Sequence, residues 1–263
     1  MKGPAGVIAL VLAETAAGGA GFLFLTPLWG EVKRGFFYLT GVVVLVLAAS
    51  SGAAGAAGYD ATTASGGRLA VGLALSLAGA TAVWIAMMTA RLRPAARALG
   101  VATVGLAAAM LFAFARTANE SVGLSFFQLL GGAAFTGAVL DGLLLGHWYL
   151  TDRKLTRAPI NRMALLLGVS VVVEAVAVVT ETFGSSPRSA SAAATLNPLL
   201  TLAGSSTLIA FGMVACTGLI AVMIRLTLRG ARPTAVQSAT GFFYLAVMTA
   251  LTAEIAAKVR FLP

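Results

Sequence analysis

The chain has 263 residues, 59% of them hydrophobic and only 10% charged, with a mean hydropathy of +0.94; this composition excludes a water-soluble domain and marks an integral membrane protein. A net charge of +9 would suggest a nucleic-acid partner in a soluble protein, but in a membrane chain it reports orientation, and no nucleic acid is expected. With one cysteine and one histidine, the chain excludes an internal disulfide, a cysteine metal cluster, bis-histidine haem and three-histidine zinc, so no intrinsic metal or cofactor is expected.

A helix needs about 20 apolar residues to cross a bilayer, and eight stretches have that length: about 5–29, 36–58, 69–90, 94–116, 124–149, 163–183, 197–226 and 236–258. The expected fold is all-α, a single polytopic membrane helix bundle over residues 1–263 with no soluble domain between spans. Span one carries Glu14 near its middle and no small-residue processing site follows it, so it is expected to be retained rather than cleaved. Its Gly18-Gly19-Ala20-Gly21, like Gly131-Gly132-Ala133-Ala134 in span five, supplies the small residues that close helix packing in lipid needs.

Span two opens on Gly35-Phe36-Phe37-Tyr38-Leu39, and span eight repeats the pentapeptide as Gly241-Phe242-Phe243-Tyr244-Leu245. A tandem duplication of four spans would pair span two with span six, which instead begins Asn161-Arg162-Met163-Ala164-Leu165. The expectation is therefore two interfacial aromatic anchors, rings in the apolar region and polar atoms at the water. Gln237, Ser238 and Thr240, just before the second copy, either cap the helix or line a polar pocket under the surface beside Tyr244.

Span five holds the densest polar group: Asp141, then Gly146-His147-Trp148-Tyr149 and Asp152-Arg153. Asp141 and Trp148 share a helix face two turns apart, whereas His147 points roughly 100° away from Trp148. His147 has the chemistry to exchange a proton or hydrogen bond with a quinone carbonyl, with Trp148 and Tyr149 as a stacking wall. The alternative is an interfacial anchor. In span seven, which begins Asn197-Pro198, Cys216 is expected to be a small packing residue.

Carboxylates inside a membrane are costly and mark sites by default. Glu14 and Glu174 fall near the middle of spans one and six, with no Lys or Arg expected at that depth, so each should be protonated or hydrated; Glu181 and Glu254 lie toward outer ends, within snorkelling reach of the interface. Glu14, Glu174 and Glu254 are thus proton-relay candidates, or packing groups that hydrogen-bond neighbouring helices.

Twelve of the eighteen Lys and Arg residues fall on alternate connections (Lys33, Arg34, Arg91, Arg93, Arg97, Arg153, Lys154, Arg157, Arg162, Arg225, Arg229, Arg232). The positive-inside bias puts those connections in the cytoplasm and both termini outside, as expected in a prokaryotic cytoplasmic membrane. Lys33, Arg34, Arg153, Lys154, Arg157 and Arg229 form a basic face suited to docking another subunit. In topology alone the chain resembles the eight-span membrane-anchor subunits of the dimethyl sulfoxide and polysulfide reductase type. That resemblance implies a quinol-interacting anchor that docks an iron-sulfur or cytochrome subunit and commonly lacks haem. The functional expectation is a membrane subunit of a respiratory or redox complex, quinone-interacting or proton-conducting. The alternative is a proton-coupled transporter for a small solute, with Glu14 and Glu174 as coupling groups. Catalysis by the chain alone stays open: a lipid enzyme would have only His147 as base, with no identifiable nucleophile.

Overall fold

A computed structural model describes residues 3–26, 30–58, 65–118, 121–152, 154–184, 202–230 and 234–259, with residues 65–66, 181–184 and 202–204 described by backbone alone. These residues form eight helices and no strand: α1 (Gly3–Leu25), α2 (Arg34–Gly58), α3 (Ser65–Thr89), α4 (Arg93–Ala115), α5 (Val122–Thr151), α6 (Ala158–Gly184), α7 (Leu202–Arg229) and α8 (Ala235–Val259). Each is long and apolar enough to cross a membrane. Helix α6 starts at Ala158, five residues before the expected span, because Pro159 is tolerated in a first helical turn. The expected start of span seven at Asn197-Pro198 lies outside the described residues.

Neighbouring helices run in alternate directions. The Ser51 hydroxyl, late in α2, donates to the Ala9 carbonyl, early in α1, at 2.7 Å, which joins the end of α2 to the start of the helix before it. At the opposite end Arg157, between α5 and α6, donates to the Gly230 carbonyl after α7 at 2.6 Å. There too Lys33 pairs with Asp152 at 3.0 Å and Arg162 with Glu31 at 3.1 Å. The starts of α2, α4, α6 and α8 therefore share one end of the bundle with most of its basic residues.

Helix α5 is the central strut, packed against α1, α4, α6 and α8. With no hydrophobic force between helices in lipid, close approach depends on small residues, and the α1–α5 seam shows why. A Cβ on Gly18 would lie 1.8 Å from the Ala133 carbonyl oxygen, and one on Gly137 would lie 2.3 Å from the Gly18 carbonyl carbon. Only glycine fits where the two backbones touch. The outer helices turn large apolar side chains outward, Leu219 and Met248 each 68% exposed, as a lipid-facing surface requires.

The two aromatic pentapeptides do more than anchor. Phe36, Phe37 and Phe243 are buried in the core, and Phe243 occupies the space a Cβ on Gly142 would need. Tyr38 is half-buried and Tyr244 exposed, beside the exposed Leu39 and Leu245 and a half-buried Phe242. Core packing is added to the expected anchoring: adjacent helix positions point about 100° apart, so the second phenylalanine is buried while the tyrosine beside it lies nearer the surface. Cys216 is likewise not a packing residue, since it lies exposed on the outer face of α7.

Candidate functional site

In the last turn of α8, Lys258 places its Nζ 3.0 Å from Glu14 Oε1 and 3.1 Å from Glu254 Oε2. All three side chains are buried, at 1% exposure or less. Two expectations are overturned together: a cation, Lys258, does reach Glu14, and Glu254 is buried rather than snorkelling to the interface. The cause is helix stagger. Thr240 and Phe243 seat on Gly146 and Gly142 of α5, and this register lets the end of α8 reach only as far as Gly132. That glycine lies ten residues from the start of α5, about 15 Å inside it. Glu14 is similarly deep, eleven residues into α1.

Gly132 is the floor of the cluster. A Cβ there would meet both Glu14 Oε1 and Glu254 Oε2 at 2.8 Å. Its neighbour Gly131 does the same for α6, where a Cβ would lie 2.9 Å from Oε2 of the buried Glu174. The glycine pair thus sets Glu14 and Glu254 on one side of α5 and Glu174 on the adjacent side, with Gln128 buried one turn away. Glu14 and Glu174 meet α5 at one level, as the sequence places them, but through different faces.

Charge counting defines the chemistry. Among the described residues, two carboxylates and one ammonium sum to minus one when all are ionised, and a net charge is expensive to hold away from water. One added proton makes the cluster neutral. Glu14 Oε2 and Glu254 Oε1 have no hydrogen-bond partner among the described residues, which leaves two oxygens to receive that proton.

The polar residues of α5 do not form one pocket. Asp141 is fully buried toward α1 and α2, its Oδ1 3.9 Å from where a Cβ on Gly19 would stand, and neither of its oxygens has a hydrogen-bond partner among the described residues. His147, six residues on, is exposed on another face, with Nδ1 3.2 Å from the Tyr244 hydroxyl. Six residues rotate the helix by about 240°, so Asp141 and His147 cannot serve one ligand. Trp148 packs where Gly35 leaves room. Tyr149 donates its hydroxyl to the Thr156 carbonyl and, with Arg157, Thr234 and Gln237, lines a cavity of about 540 Å³ at the basic end. Thr240 is satisfied by the Val236 carbonyl at 2.8 Å, and Ser238 is exposed.

Of the basic docking residues, Lys33 and Arg34 line a cavity of about 300 Å³ with Arg93 and Arg97. Lys154 and Arg229 are exposed and Arg157 is half-buried. Arg153 lies outside the described residues, as does the side chain of Glu181. Among the described residues no three of His, Cys, Asp and Glu gather as a metal site. An apolar crevice of about 420 Å³ between α1, α4 and α5, lined by Ala17, Gly18, Ala107, Leu111 and Ala133, has the character of a lipid-chain surface.

Sequence reasoning missed Lys258 and Gly132 as site residues. The available signal was the spacing of Glu254 and Lys258, four residues apart, which puts both on one face of an otherwise apolar helix. Compared with known protein families, curated proteins and solved structures, the chain matches none.

Proposed function

We propose that the protein handles protons within the membrane, as a proton-coupled transporter of a small solute, with the Glu14–Lys258–Glu254 cluster as the exchange centre. The observation that carries this reading is a buried group that, among the described residues, sets two carboxylates on one ammonium and leaves two carboxylate oxygens without partners, inside a bundle whose outer face is apolar. With a proton on Glu14 or Glu254 the cluster is neutral. Releasing it leaves a charge that a bound solute cation or a helix rearrangement must compensate, and this is how protonation couples to conformation. Lys258, paired with both carboxylates, stabilises whichever one is ionised. Charge asymmetry supports placing the basic end in the cytoplasm and both termini outside.

The test is proton uptake into proteoliposomes holding the purified protein, followed with an entrapped pH-sensitive dye. Glu14→Gln and Glu254→Gln should each lower the rate by about a hundredfold, within the range a positioned proton-transfer group contributes. Wild-type rates in both variants would reduce the cluster to a structural role.

A second reading draws on the cavity beside Tyr149, Arg157 and Gln237. Its mixed polar and apolar walls near the interface suit the head of an amphiphile such as a quinone, and the surrounding basic face suits a partner subunit. On this reading the chain is the membrane subunit of a redox complex. Purification in mild detergent tests it: a co-purifying iron-sulfur or cytochrome subunit with extractable quinone supports it, and a lone, quinone-free protein rejects it.

A further inference from the structure

We infer that Asp141 is a second proton-holding station, separated from the Glu14–Lys258–Glu254 cluster by the dry contact between α1 and α5, so that the two stations serve opposite sides of the membrane. The inference rests on the proton-handling reading and adds to it the other half of the path.

Three observations carry it. First, Asp141 is fully buried, and no hydrogen bond or ion pair to it forms among the described residues. A Cβ built on Gly19 of α1 would lie 3.9 Å from Oδ1, and 3.1 and 3.2 Å from the side chains of Val44 of α2 and Leu140 of α5, so the Gly19 side of the carboxyl is apolar. An isolated ionised carboxylate in such surroundings is prohibitively costly, and the group exists there by holding a proton.

Second, the two stations are placed symmetrically on α5. Gly132, the floor of the cluster, is ten residues from Val122, and Asp141 is ten residues from Thr151. Each therefore lies about 15 Å from its own end of the helix.

Third, the midpoint between them is closed. Gly18 meets Ala133 and Gly137 there, backbone against backbone, at separations that leave no room even for a methyl group. A proton cannot cross that contact through water while the helices touch. The route we infer from Asp141 runs toward the basic end instead, where the buried Thr40 hydroxyl, able both to accept and to donate a proton, has no partner among the described residues. Trp148, on the same face two turns nearer the basic end, can donate a hydrogen bond there but accepts no proton. The transfer itself is a proton leaving one carboxyl oxygen for the next acceptor, without electron transfer or a co-reactant.

Infrared spectroscopy of the protein in lipid nanodiscs, read against its variants, tests the inference. The carboxylic-acid C=O stretch reports protonated carboxyl groups directly. At neutral pH, Asp141→Asn should remove one such band that Glu14→Gln and Glu254→Gln leave in place, and in proteoliposomes it should lower proton uptake by about a hundredfold. No band lost in Asp141→Asn would overturn the second station. So would normal uptake in Asp141→Asn beside blocked uptake in Glu14→Gln, an outcome that leaves the cluster's role standing. Normal uptake in all three variants would remove both. Should Asp141→Asn fail to insert, peptide mapping of wild-type protein treated with an apolar carbodiimide decides: this reagent couples to protonated carboxyls in lipid, and an unmodified Asp141 sinks the inference.

Discussion

Lys258, one residue from the end of α8, and Glu14, at the middle of α1, meet at 3.0 Å in the buried interior of the bundle. Among the described residues no other cation contacts these two carboxylates, so loss of the ammonium leaves buried negative charge without its described counter-ion. Lys258→Met should destabilise the protein by about 3–5 kcal/mol, the range for breaking a buried ion pair by removing one partner. The combined Lys258→Met, Glu14→Leu and Glu254→Leu variant should recover most or all of that loss, because an apolar cluster has no charge to desolvate. Unfolding of detergent-solubilised protein measures both. A combined variant weaker than the single one would mean that the ion pairs themselves hold the helices together.

The glycines divide into those that make room and those that do not. Gly132→Ala would drive a methyl group to 2.8 Å from both carboxylates and should cost about 1–3 kcal/mol, as overpacking does, while also lowering proton uptake. Gly72, Gly79 and Gly105 have nothing within 4 Å of a built Cβ. Alanine at any of these should leave uptake unchanged and stabilise its helix by about 0.5–1 kcal/mol. Equal effects at Gly132 and Gly79 would show that the cluster tolerates displacement.

Much of the bundle was legible in the sequence, because hydropathy over a span-length window answers directly to bilayer thickness, and the eight helices fall where that pattern puts them. The site was less legible. Depth along one helix is readable from its own ends, but the stagger between helices is set by packing. Lys258 ends a span, where a charge ordinarily meets water, and the seating of Phe243 on Gly142 draws that end inside. The grouping of Asp141 with His147 failed for a related reason: six residues is close in sequence but points to another face, and the face was decided by which helices flank α5. Glu14 and Glu174 were picked out as membrane carboxylates, since their cost in lipid is intrinsic to the residue.

The exposed pair of His147 and Tyr244 offers a check on the second functional reading. Their contact of 3.2 Å lies outside the core, and a typical hydrogen bond contributes about 0.5–1.5 kcal/mol. Tyr244→Phe and His147→Ala should each change stability by no more than that. If a quinone binds at the basic end, its head group is held by the Tyr149 and Gln237 cavity, so Gln237→Leu should weaken quinone binding several-fold in a fluorescence-quenching titration while His147→Ala leaves it unchanged. The reverse pattern would move the ligand to the His147 face.

Cys216 provides an internal probe of how the bundle sits in the membrane. It is fourteen residues from Leu202 and thirteen from Arg229 on α7, hence at the middle of that helix, and it is exposed on the outer surface. A transmembrane α7 puts this thiol at the centre of the hydrocarbon, facing acyl chains. In intact proteoliposomes a charged, membrane-impermeant maleimide should therefore leave Cys216 unmodified from either side, whereas the same reagent should label it fully once the protein is unfolded in detergent. Because the chain has a single cysteine, whole-protein mass gives the answer without mutagenesis. Labelling of the folded protein by the charged reagent would mean that this face of α7 meets water, either along a solute path or because α7 does not span the membrane as its length and composition indicate.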